Sequence, residues 1–113
     1  MKLEFFFVPT GDLDGTLSFY REAFGATELW REGDSTAAIS LPGADVSLML
    51  DTDQNATPGP VFAVDSVKAV ADAFPDDVTC FEGPAAIPGG FWGGFHDPAG
   101  AAFYLVDQST EAA

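Results

Sequence analysis

His96 is the only histidine of the chain and Cys80 the only cysteine, so the two side chains best suited to chemistry near neutral pH each stand alone. An imidazole can move protons or ligate a metal. No second ligand lies at a useful spacing from His96, and a hydrogen-bonded histidine at a strand end is the simpler role. The serines at positions 18, 35, 40, 47, 66 and 109 have no other base to draw on, which leaves a hydrolytic triad without support. Cys80 cannot close an intrachain disulfide and has no clustered His or Cys as a metal co-ligand, so it reads as a small core hydrophobe. The run Gly89-Gly90-Phe91-Trp92-Gly93-Gly94 is glycine-rich but lacks lysine and leads into a strand. That context excludes a phosphate loop and leaves a hairpin approach or bulge beside a ligand.

What the chain has in quantity is aromatic surface and negative charge. It carries 11 Phe, 2 Trp and 2 Tyr, with 18 acidic against four basic residues and a formal net charge of -14. Phe91, Trp92 and Phe95 cluster in one strand. Trp30 sits between Glu28 and Glu32, and strand alternation places these three on one side. An aromatic ring flanked by carboxylates can hold a cation, or a planar ring with a charged tail. The same charge balance opposes attraction to phosphate backbones and anionic lipid, so neither nucleic acid nor a membrane is expected as a partner.

The elements that must position these residues form one pattern written twice. Residues 2–8 are strand formers ended by Pro9-Thr10-Gly11. Asp12 then caps a helix whose apolar positions Leu13, Leu17, Tyr20 and Phe24 follow the helical period, with Gly25 at its stop. Strands are predicted at about 26–32, 35–41 and 45–50, separated by Gly33-Asp34 and Pro42-Gly43. A turn-rich linker spans 51–60, and the pattern restarts. Val61 to Val64 is a strand, Asp65 or Ser66 caps a helix with Val67, Val70, Ala71 and Phe74 on one face, and Pro75 ends it. Strands at about 78–82, 91–96 and 101–107 complete the second half. Asp97-Pro98-Ala99-Gly100 joins the last two as a tight hairpin, since Asp suits the first turn position, Pro the second, and Gly supplies the positive φ that follows.

This fixes a fold-class expectation: α+β, two tandem βαβββ modules. Because neither short sheet can bury both faces alone, the sheets are expected to curl around a shared concave cleft with the helices outside. The chain is read as a single domain, with module one at about 1–52, module two at about 59–108 and a tail at 109–113. Phe6, Val8, Phe24 and Phe103 are assigned to the helix-covered core.

Asp12-Leu13 followed by Phe19-Tyr20 and Phe24-Gly25, together with the Asp97-Pro98-Ala99-Gly100 hairpin, resembles the glyoxalase/bleomycin-resistance/extradiol-dioxygenase group, the vicinal oxygen chelate superfamily. The resemblance covers nearly the whole chain. It implies a divalent metal held by His, Gln and Glu from strands of both halves. Carried over position by position, however, the ligand of the first strand falls on Phe5, that of the second half on or near Gly59, and the final one on Tyr104. The remaining one falls in the fourth strand, where Val46 to Leu50 offers no acid and only Asp51 follows. No metal and no cofactor is therefore expected.

With Phe5 and Tyr104 in place of ligands, the floor of the cleft becomes aromatic. Phe7 shares the face of Phe5, and Ala102 and Val106 that of Tyr104. The expected ligand-binding residues are Phe5, Phe7, Trp30, Phe91, Trp92, Phe95 and Tyr104. The resemblance then implies a metal-free protein of the bleomycin-resistance type, a cytoplasmic homodimer that sequesters an aromatic or cationic small molecule. The alternatives are a glyoxalase-like lyase or dioxygenase with shifted ligands, and a scaffold module with no small ligand. Cytoplasmic placement follows from a start that lacks a charged n-region and apolar h-region, and from the absence of any apolar run long enough to span a bilayer.

Overall fold

The computed structural model describes residues 1–53 and 56–110. Gln54 and Asn55 of the expected linker, and residues 111–113 of the expected tail, lie outside the described residues. The backbone divides into two compact units, Glu4–Pro58 and, with Met1–Leu3, the residues from Gly59 onward.

The first module runs β1 (Lys2–Pro9), α1 (Leu13–Phe24), β2 (Thr27–Glu32), β3 (Thr36–Ser40) and β4 (Ser47–Asp51). β1 pairs parallel with β4, β4 antiparallel with β3, and β3 antiparallel with β2, so the sheet is mixed. The Asp12 side chain accepts from Gly15 N at 2.9 Å and starts α1. Gly25 ends it in the left-handed conformation, φ 69°, its N–H returning to the Arg21 carbonyl. Leu13 and Leu17 turn inward onto Ala37, Ile39 and Leu50. Burying a leucine of this kind contributes about 1.5–3 kcal/mol. Val8 packs in this cluster as expected. Phe6 and Phe24 do not belong to the core, being 40% and 56% exposed. Phe24 instead lies against Phe19 and Tyr20 at the outer end of the helix.

The second module repeats the order: β5 (Gly59–Ala63), α2 (Val67–Asp72), β6 (Thr79–Ile87), β7 (Gly90–His96) and β8 (Ala102–Val106). β5 pairs parallel with β8, β8 antiparallel with β7, and β7 antiparallel with β6. Ser66, not Asp65, is the helix cap, accepting from Ala69 N at 3.1 Å. Val67, Phe95 and Leu105 form the helix-side core, joined by Phe62, Phe74 and, as expected, Phe103. The hairpin turn is fastened by Asp97, whose Oδ1 accepts from the N–H groups of Ala99 and Ala101, each at 2.9 Å. β6 extends five residues beyond its expected end. Its pairing with β7 shifts register between Cys80 and Glu82 and again between Glu82 and Ala85. These bulges let an outer strand carry Gly83-Pro84, which in a regular strand would be a stop. No helix of the described residues is long and apolar enough to cross a membrane.

Candidate functional site

Alternation along β7 sends Trp92, Gly94 and His96 to the face of the second sheet turned away from α2. Tyr104 of β8 pairs opposite Gly94 and lies on the same face. Trp92 stacks on Tyr104 with ring centroids 5.0 Å apart and planes 27° from parallel. Phe81, from the bulged stretch of β6, meets Tyr104 edge-on at 5.7 Å and stacks on His96 at 4.5 Å. Gly94 makes this possible. A Cβ there would stand 2.7 Å from Phe81 Cζ and 3.1 Å from Tyr104 Cε1, so the rings occupy the space a side chain would take. The result is a continuous run, Trp92–Tyr104–Phe81–His96. Tyr104 is fully buried and backs the run, while Phe81 is 40% exposed and Trp92 and His96 are half-buried. Flat π faces of this kind bind rings by stacking and cations through the ring quadrupole.

The expected site residues do not all gather here. Phe5, Phe7 and Trp30 belong to the first module, on the face opposite α1. There Phe7 pairs with Met49, and Trp30 pairs with Ala38, while Phe5 meets Trp30 edge-on at 6.1 Å. Glu28 does not share the side of Trp30. The β2–β3 register shifts between Glu28 and Trp30, and the bulge turns Glu28 to the face of Ile39, leaving Glu32 alone with Trp30. Phe91 and Phe95 are a second correction. Both point to the α2 side, where Phe95 is a buried core residue and Phe91 packs at the cluster edge beneath the Lys68 ammonium, 4.1 Å from its ring centroid. Period-two alternation separates them from Trp92. Phe81 and His96 are the site residues that the sequence did not supply. Phe81 carried only an indirect signal, the Gly83-Pro84 pair that marks a bulge without telling which way the ring beside it points.

The residues do not fit the metal that the fold family implies. The two modules can be equated through their hydrogen bonds. Thr10 N donates to Asp51 O as Val64 N donates to Val106 O, and Phe7 pairs with Met49 as Val61 pairs with Tyr104. Phe5 thus corresponds to Gly59, and Met49 to Tyr104. The four equivalent positions hold Phe, Met, Gly and Tyr, none an ordinary donor to a hard divalent ion. Gly59 is closed even to a replacement, since a Cβ there would come within 2.6 Å of the Ala102 carbonyl oxygen. Among the described residues no three His, Cys, Asp or Glu side chains converge.

The start of β7 is held by Asp107, a residue that no local sequence pattern singles out. Its carboxylate is 2% exposed. Oδ2 accepts from Val67 N, the first residue of α2, at 2.6 Å. Oδ1 accepts from Phe91 N at 2.9 Å, from Ser109 N at 3.0 Å and from the Ser109 hydroxyl at 2.8 Å. Burial alone would raise its pKa, but these donors to the charged form outweigh it and hold the group below the ordinary value of 3.8. One side chain thereby fastens the helix, the strand that carries Trp92 and the segment after β8.

The model of the Glyoxalase/Bleomycin resistance protein/Dioxygenase superfamily matches residues 2–107. Among solved structures, a glyoxalase/bleomycin resistance protein/dioxygenase superfamily member from Vibrio splendidus 12B01 is similar with TM-score 0.60 at 15% identity, over 90% of this chain and 94% of its own. A structure named as NAD-dependent benzaldehyde dehydrogenase from Legionella pneumophila is similar with TM-score 0.75 at 12% identity, over 91% and 96%. Methylmalonyl-CoA epimerase from Mycobacterium tuberculosis is similar with TM-score 0.58 at 18% identity, over 94% and 87%. At these identities the likeness is one of fold. No curated protein matches the chain by sequence.

Proposed function

The chain belongs to the Glyoxalase/Bleomycin resistance protein/Dioxygenase superfamily, and from that membership we propose that it works without a metal, as a binding protein for an aromatic or cationic small molecule. The observation that carries this reading is the set Phe5, Met49, Gly59 and Tyr104 at the four positions equated by the repeat, with Gly59 closed to any side chain. The aromatic run of the second module supplies the alternative chemistry. A planar ring lies on Trp92 and Phe81, with the buried Tyr104 holding both in place. A formal charge of -14 adds a field that favours cations over anions. The function is then sequestration, carried out in the cytoplasm by a homodimer. The exposed strand β2, with Leu29 and Trp30 open to solvent, supports a second copy as its cover.

The test is a fluorescence titration with a matched pair of aromatic probes, one cationic and one anionic. The cation should bind at least several-fold more tightly, and Trp92→Ala should weaken it by a similar factor, the scale of one stacking or cation–π contact of about 0.5–2 kcal/mol. Equal affinities for the two probes, or an unaffected Trp92→Ala variant, would leave the scaffold reading in front. Elemental analysis after exhaustive dialysis should find no stoichiometric Fe, Mn, Ni or Zn. About one ion per chain would replace the binding reading with a metal-dependent lyase or dioxygenase.

A further inference from the structure

The second module carries a recess on the other side of its sheet from Trp92, between α2 and the bulged β6. It has a volume of about 360 Å³, within the range of small-molecule sites. Phe74 and Phe95 meet edge-on at 5.3 Å among its walls, which Ala71, Val78 and Pro84 continue. The β6 register shifts at Cys80/Glu82 and Glu82/Ala85 interrupt the regular strand beside α2. Two charged side chains also line the recess, Lys68 and Asp72.

These two stand one helical turn apart on α2, in the order that makes the weaker intrahelical pair, with the cation nearer the N-terminus. They are not bridged to each other. The Lys68 ammonium rests over the Phe91 ring instead. A purely anionic ligand would meet Lys68 but be repelled by Asp72, and a purely cationic one the reverse. A ligand bearing both charges on a short head, with an apolar tail, satisfies both and fills the walls between them. The geometry points to this recess as a site for a zwitterionic amphiphile, an α-amino acid with an apolar or aromatic side chain. Its carboxylate faces Lys68, its ammonium faces Asp72, and its side chain lies against the paired rings of Phe74 and Phe95 and the walls formed by Ala71, Val78 and Pro84.

Cys80 provides the readout. It lines the recess, it is exposed where the sequence suggests a core residue, and it is the only thiol of the chain. A bound ligand should therefore slow its alkylation, and the adduct is unambiguous by mass. The probes are L-phenylalanine, phenethylamine and 3-phenylpropionate, which share the ring and differ in charge. L-phenylalanine at millimolar concentration should slow alkylation more than either single-charge analogue, with an apparent affinity advantage of about two- to fivefold for each exposed charge contact. Lys68→Gln should abolish the advantage over phenethylamine, and Asp72→Asn the advantage over 3-phenylpropionate. Both substitutions are at exposed positions and leave the core intact. No protection by any probe, equal protection by all three, or an unchanged order in both variants would overturn the proposal. Trp92→Ala separates this site from the aromatic run, since it should weaken the cationic probe of the previous titration and leave protection of Cys80 as it was.

Discussion

Replacing Asp107 by asparagine is expected to lower the stability of the second module by about 2–4 kcal/mol, the scale of lost charge-assisted hydrogen bonds together with donors left buried and unpaired. The carboxylate takes protons from Val67 N, Phe91 N, Ser109 N and Ser109 Oγ. An asparagine has one acceptor oxygen, and its amide group would face one set of these donors with hydrogens of its own. Thermal or urea unfolding by circular dichroism reads the loss. The pH dependence has a definite sign. Because the folded-state pKa lies below the ordinary 3.8, the contribution is fully present above that value and disappears as pH falls through the lower, folded value. Wild type should therefore lose stability below about pH 3.8 more steeply than Asp107→Asn, and the two curves should converge in acid. Parallel curves would show that the carboxylate is not what holds the module.

Gly90→Ala is expected to be comparably damaging, although it adds a single methyl group. Gly90 is buried, and a Cβ there would collide with the Asp107 backbone carbonyl and stand 2.5 Å from its Oδ1. The obstacle is backbone, which cannot rotate aside. Overpacking of this kind costs about 1–3 kcal/mol, and here it also pushes the carboxylate away from Phe91 N. Since both substitutions disturb the same contact, the double variant should lose less than the sum of the two single losses. Strict additivity in urea unfolding would mean that Gly90 acts through some other neighbour.

The repeated βαβββ order was legible in the sequence because its punctuation is local. Asp12, Gly25, Ser66 and the Asp97-Pro98-Ala99-Gly100 turn each act within a few residues, and each does so in the structure. Family membership was legible for the same reason. The orientation of individual side chains was less so. A bulge between Glu28 and Trp30 reverses one residue without altering composition, and two more in β6 aim Phe81 at Tyr104. Alternation alone separates Phe91 and Phe95 from Trp92, although their density in one strand suggests a single cluster. Phe6 and Phe24 follow the helix-side pattern and still lie open, because the cluster beneath α1 is built on Leu13, Leu17, Ala37, Ile39 and Leu50 with Val8 and Leu48 at its margin, and neither ring joins it. Asp107 was beyond reach for a different reason. Its first partner, Val67, lies 40 residues earlier in the chain, and no local pattern reports such a distance.

That separation bears on the order in which the molecule can assemble as it is made. α1 has 12 residues and α2 only six, and a helix of six residues has almost no stability of its own in water. α2 depends on a carboxylate that leaves the ribosome last among its partners, after β7 and β8. A nascent chain that has passed Phe95 but not yet Asp107 holds the apolar face of Val67, Val70 and Ala71 with the Ser66 cap but without the bond from Val67 N to Asp107. In the first half the carboxylate that fixes the helix start, Asp12, is made immediately before it, and the face of Leu13 and Leu17 waits only for Ala37, Ile39 and Leu50. The two copies of one pattern are therefore completed on different schedules, with the half that carries the aromatic run closing only once Asp107 has been made.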